Sequence, residues 1–205
     1  MSEHPPSAPA AVAPPPKRSD ARRNAGVLLE AAATVFVRSG VEAPIREIAK
    51  EAGVGLGTVY RHFPTRSDLV LAVYEHQVEA CALAAPRLLE EETSPVVALR
   101  SWVELFVQFL VTKHGLAAAM QSSGDSFDAL HNYFENRLVP AVASLLSAAE
   151  AEEEIRPGVG AYELMRGIGN LCINHDHDPR YDPHRLVALL LDGLQTPALP
   201  HPQGC

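Results

Sequence analysis

From Asp20 to Leu194 the apolar residues recur at intervals of three and four, and no stretch alternates apolar with polar as a half-buried strand would. That period restricts the chain to an all-α fold. A first helix is expected from Asp20 or Ala21 to Ser39, because Ala25, Leu28, Leu29, Ala32, Val35 and Phe36 share one face and Gly40 supplies a stop. Two short helices follow at about 45–52 and 56–62, with Pro44 suited to the first turn of one and Pro64 ending the other. A fourth begins near Ser67 or Asp68 and reaches the region of Ala84 before Pro86. Five more are expected at about 95–112, 115–121, 125–150, 159–175 and 183–195, about nine in all, with Pro140 kinking the long one. Asp182-Pro183 makes a strong start for the last.

Composition limits the class of protein. With 47% apolar and 20% charged residues in 205, a packed core is available and global disorder is excluded. Residues 1–16, mostly Pro and Ala, read as a disordered tail, and 197–205 as a shorter one. No apolar run approaches the roughly 20 residues that cross a bilayer, and the start lacks the pattern of a secretory signal. Cys81, Cys172 and Cys205 are scattered, which argues for a reducing cytoplasm and against a disulfide framework or cysteine zinc site. A cytoplasmic protein without membrane association is expected.

The net charge of −8 hides an asymmetry. Residues 17–66 carry nine Lys or Arg against five Asp or Glu, whereas 67–205 carry eight against nineteen. A basic head on an acidic body is attracted to phosphate at one end only.

The segment Ile45–Leu69, IREIAKEAGVGLGTVYRHFPTRSDL, gives that head a purpose. Two short helices joined by a glycine-containing turn form a helix-turn-helix. Ile45, Ile48 and Ala49 can pack inward, with Val54 and Val59 closing the angle. Thr58, Tyr60, Arg61 and His62 then face outward, all of them hydrogen-bond donors. The second helix of such a motif enters the major groove while flanking residues hold phosphates. Arg46 and Arg61 are the candidates for reading guanine edges, and Thr58, Tyr60, His62 and Arg66 suit phosphate. Lys17 to Arg23 adds a basic arm, equally readable as a solvated run.

The wording AxxAGVGxGTVYRHFPTRSDL resembles the signature of the TetR family of transcriptional regulators, closely over about residues 21–70. The resemblance implies a DNA-binding domain at 17–66 and a ligand-binding, dimerising domain at 67–196. It implies phosphate contacts at Thr58, Tyr60, His62 and Arg66, and a groove-facing set of Arg46, Leu56, Gly57 and Arg61. Gly55, Leu56 and Gly57 stand where other members often carry polar side chains, so base reading rests on fewer residues and more on DNA shape.

For the larger domain the resemblance implies a homodimer that encloses a small-molecule effector and releases a palindromic operator. Trp102, Phe106, Phe109, Met120, Phe127, Tyr133 and Phe134, with polar Gln108, His114, His131 and Asn136, supply apolar walls and a few polar groups, as ligand pockets do. The ligand candidates among them are Trp102, Phe106, Phe109, His114, Met120, Phe127, His131 and Phe134. Aromatics at helical spacing are also the ordinary furniture of a core, so about half of these are expected to touch a ligand. A two-fold interface is expected from Leu164, Ile168, Leu171, Leu186, Leu189 and Leu190, with Gly160, Gly167 and Gly169 allowing close approach.

Other classes are weaker. His175, His177 and His184 offer metal-ligand types but without the fixed geometry that a metal site needs. No nucleophile elbow, phosphate loop or dinucleotide fingerprint occurs, and neither an enzyme nor a cofactor is expected. The rival functions are a small-molecule-binding or catalytic helical protein with a vestigial head, and a constitutive DNA binder with a filled C-terminal core.

Overall fold

A computed structural model describes residues 18–120, 124–172 and 180–196, with side chains in those spans apart from 18–24 and 111–129. The expected tails at 1–16 and 197–205, and His175 and His177, lie outside the described residues. The described chain is all-α: α1 (Arg18–Ser39), α2 (Ile45–Glu51), α3 (Leu56–His62), α4 (Arg66–Glu91), α5 (Pro95–Met120), α6 (Gly124–Ala151), α7 (Ala161–Cys172) and α8 (Pro183–Leu194).

These eight helices replace the expected nine, and the difference has a local cause. The sequence separates helices at 95–112 and 115–121 around Gly115, yet α5 continues through to Met120. One interior glycine costs about 1 kcal/mol relative to alanine, too little to break a long helix by itself. Helix α4 likewise passes through Pro86 instead of ending before it. The start of α4 is also shifted: its cap is Thr65, not Ser67 or Asp68. The Thr65 hydroxyl accepts from the Asp68 amide at 3.1 Å, while the Asp68 carboxylate accepts from the Thr65 amide at 3.0 Å. Pro44 sits at the N-cap of α2, one position before the first turn. Helix α1 begins at Arg18, which draws most of the expected basic arm into its first turns. Asp182 caps α8 as expected, accepting from the Arg185 amide at 3.1 Å.

Helix α4 joins the head to the body. Its inward stripe of Leu69, Val70, Val73, Tyr74, Val78, Cys81, Ala84, Ala85 and Leu88 is buried, at the three- and four-residue spacing of one helix face. It packs on α1 at its start and on α5 and α6 along its length, and α7 with α8 closes the far side of the body. One apolar cluster runs from Leu28 in α1 to Leu191 in α8.

Candidate nucleic-acid interface

The turn between α2 and α3 is built by hydrogen bonding rather than by packing alone. Gly53, at φ +66°, takes the left-handed conformation that ends α2. The Gly53 amide donates to the Lys50 carbonyl at 3.2 Å, and the Val54 amide to the Ala49 carbonyl at 2.9 Å. This paired closure satisfies carbonyls that a helix end otherwise leaves open, and it redirects the chain into α3. Ile48, Ala49 and Val59 are buried beneath the turn and Val54 packs against them, as the sequence indicates.

The anchor at Val59 decides what α3 exposes. Leu56, Tyr60, Arg61 and His62 are exposed, as are Gly55 and Gly57, while Thr58 is half-buried. Leu56 and Tyr60, one turn apart, are 46% and 49% exposed. Helix α3 contains no acidic residue and carries Arg61 and His62 in its last turn. Arg46 is exposed on α2. The structure therefore gathers Leu56, Thr58, Tyr60, Arg61 and His62 on one short helix, with Arg46 on the helix before it.

Arg66 behaves differently from the expectation of a free phosphate contact. It is half-buried, and its guanidinium donates to the carbonyls of Val41 and, at 2.9 Å, Ala43. Arg66 therefore braces the α1–α2 connection against the start of α4, a role the sequence did not signal because the acceptors are main-chain atoms 25 and 23 residues away. Arg38 of α1 pairs with Glu51 of α2 at 3.3 Å, a second tie that sequence reasoning missed.

Known proteins match both halves. Residues 28–73 match the family model described as bacterial regulatory proteins, tetR family, and residues 94–196 that of the transcriptional regulator SbtR-like, C-terminal domain. A TetR transcriptional regulator from Streptomyces coelicolor is 34% identical, with a TM-score of 0.74 over 84% of this chain and 98% of that one. The chain belongs to the TetR family. A second TetR regulator, from Mycobacterium vanbaalenii, is 33% identical with a TM-score of 0.68, covering 88% of this chain and 100% of the other. An HTH-type transcriptional regulator of Staphylococcus aureus is 26% identical over 122 residues, which is 59% of this chain and 66% of that curated relative's length. In this TetR-family chain α2 and α3 form the helix-turn-helix.

The body holds its sequence-predicted residues less openly. Trp102, Phe106, Phe109 and Phe134 are all buried. Trp102 stacks on Phe106 at 5.3 Å between ring centroids, and Phe134 lies 6.0 Å from Phe106 and 5.8 Å from Phe109. The Trp102 indole donates to the Cys81 carbonyl at 2.8 Å. These four candidates for ligand contact thus fill the core between α4, α5 and α6. His131 is half-buried and lies 2.9 Å from the Glu135 carboxylate, and Gln108 and Asn136 are exposed. The side chains of His114, Met120 and Phe127 lie outside the described residues.

A polar cluster missed from sequence joins α4 to α6. Glu79 accepts from Tyr133 at 2.6 Å and from two nitrogens of Arg137 at 2.6 Å each. The Arg137 and Tyr133 hydrogen bonds hold the Glu79 carboxyl below its usual range. Desolvation, then the bond to Glu79, pushes the Tyr133 phenol up to about 12. The partners are more than 50 residues apart, beyond any local pattern.

Of the six expected dimer residues, Leu164 and Ile168 are buried within the chain itself and belong to its own core. Leu171, Leu186 and Leu190 are half-buried, and a Cβ placed at Gly167 would lie in ordinary contact with Leu190, 3.8 Å from its Cδ2, so Gly167 faces α8 of its own chain. Leu189 remains 56% exposed, and Tyr162, missed from sequence, is exposed on α7. His184 is exposed, and among the described residues no group of three metal-ligating side chains occurs. No described helix is long and apolar enough to cross a membrane.

Proposed function

We propose that this TetR-family protein is a homodimeric repressor that binds a palindromic operator and is released by a small-molecule effector, acting in the cytoplasm as a regulator and not as an enzyme. The observation that carries the DNA-binding part is the acid-free outer side of α3, where Tyr60, Arg61 and His62 stand exposed on a hydrogen-bonded turn. Arg61 and Arg46 read guanine edges, and Tyr60, His62 and Thr58 hold phosphates. Gly55 and Gly57 let the backbone approach the duplex, and Arg66 orients the reading helices from behind. Two such heads read half-sites about one helical turn or more apart.

The dimer is assigned to the outward side of α7 and α8, centred on Tyr162 and Leu189, with Leu171, Leu186 and Leu190 at its edges. Effector and DNA favour different head spacings, so each weakens the other's binding by one coupling free energy. Selection of bound sequences from random duplexes, with full-length protein at physiological salt, tests the reading. A two-fold consensus supports it. Binding without any enriched sequence, vanishing as salt rises, means phosphate attraction alone.

The filled aromatic cluster favours one second reading, a constitutive operator binder with no effector. The selected operator distinguishes the two. Release by a member of a metabolite and drug library supports the first, and persistent binding throughout supports the second.

A further inference from the structure

The first turn of α3 has an unusual chemical content for a DNA-reading helix. It begins at Leu56, between Gly55 as N-cap and Gly57. A Cβ added at either glycine would meet nothing within 4 Å, so neither position is filled or shielded by a neighbour. Thr58 is half-buried. Leu56 is thus the side chain that projects where a reading helix first meets base edges, and it has neither donor nor acceptor.

A leucine pressed against hydrogen-bonding base edges would strip water from them and return nothing, at a cost for each polar group left unpaired. One group in the major groove suits an aliphatic side chain, the C5-methyl of thymine. A single exposed leucine on a protein surface is unremarkable in general. Leu56 differs in its setting: it shares a helix face with exposed Tyr60 one turn on, and the helix ends in Arg61 and His62 with no acid to repel phosphate.

We propose that Leu56 reads the C5-methyl group of a thymine in each operator half-site, so that the protein separates thymine from cytosine at that step by the methyl and not by a hydrogen bond. This rests on the operator-binding reading above. The flanking glycines carry no side chain to compete with Leu56 for the groove floor. A methylated cytosine presents the same group at the same ring position and satisfies the contact in part.

The test uses the full-length protein and the duplex recovered by selection. Each thymine is replaced singly by uracil, which removes only the methyl, and affinity is measured by fluorescence anisotropy at fixed salt. One symmetry-related thymine position is expected to lose about threefold to fivefold per half-site, the scale of one buried methyl group. Leu56→Ala should lose a similar factor on the thymine duplex and bind the thymine and uracil duplexes equally. Because Leu56 is exposed, its thermal unfolding should match that of the unaltered protein. Overturning results are distinct. If no thymine responds to uracil, no methyl is read. If Leu56→Ala keeps the thymine preference, another group reads it. If selection recovers no sequence at all, the operator reading fails first and takes this one with it.

Discussion

Head and body are built from the same kind of helix, yet they spend their side chains in opposite ways. In the head, two seven-residue helices bury only Ile48, Ala49 and Val59 between them and leave Arg46, Leu56, Tyr60, Arg61 and His62 in solvent. In the body, the long helices α4, α5 and α6 turn their aromatic rings on one another. A helix of two turns cannot hide more than one narrow stripe, so its remaining residues are set by what it touches outside the chain. A helix of seven turns surrounded by others is set by packing. Substitutions should therefore separate along this line, with head changes altering DNA binding and body changes altering stability.

The largest effect is expected at Trp102. Truncation by Trp102→Ala removes a buried ring, its stacking on Phe106 and its hydrogen bond to the Cys81 carbonyl. A loss of about 3–5 kcal/mol in urea unfolding is expected. If Trp102 instead lined a roomy pocket, Trp102→Ala would cost little, and the contrast between head and body would break at its strongest point.

Arg61→Ala comes next and should act on the other axis. Arg61 is exposed at the end of α3, so urea unfolding should be unchanged to within about 0.5 kcal/mol. Operator affinity should fall by about tenfold to a hundredfold, the range of one lost bidentate base contact. An equal loss on operator and random duplex would assign Arg61 to phosphate and leave base reading to Arg46 and Leu56.

Gly53→Ala sharpens the comparison, because it sits in the head but acts through the backbone. A Cβ there meets nothing within 4 Å, so the penalty comes from φ +66° and not from a clash. The expected loss is about 1–2 kcal/mol, with Gly53→Asn losing less because asparagine tolerates the left-handed region. Equal losses for both would place the cost in packing instead.

This division explains which parts could be read in advance. Gly40, Gly53 and the spacing of Ile48 and Val59 are local signals, and the structure honours each of them. The exposure of Tyr60 and Arg61 follows from burying Val59, so the head's outward set was legible. In the body, Trp102, Phe106 and Phe109 repeat at helical spacing whether they fill a core or line a pocket, and sequence has no term that separates the two. Leu164 and Ile168, expected at a dimer face, lie in the chain's own core for the same reason, since one apolar face looks alike against its own chain or a partner. The carbonyl bonds of Arg66 and the clamp at Glu79 are not legible in sequence, because their partners lie far along the chain or on the main chain.

The smallest expected effect lies where the two regions meet. Helix α4 begins under the head, and Glu79 fastens it to Tyr133 and Arg137 of α6 in the body. The Arg137 and Tyr133 hydrogen bonds lower the Glu79 pKa from its ordinary 4.5, so the folded state binds the proton less readily than the unfolded chain does. The stabilisation is therefore present at neutral pH and is lost as pH falls below 4.5 through the depressed folded value. With the Glu79 side chain 36% exposed, solvent screens much of the pairing. Glu79→Gln should lower the thermal midpoint at pH 7 by about 1–3 °C. The gap between variant and parent should narrow as both are taken to lower pH. A gap that stays constant into the acid range would show the glutamate acting by shape alone. A narrowing gap, accompanied at neutral pH by altered operator affinity in Glu79→Gln, would show that this clamp carries the body's state to the head. Unaltered affinity would confine it to holding α4 on α6.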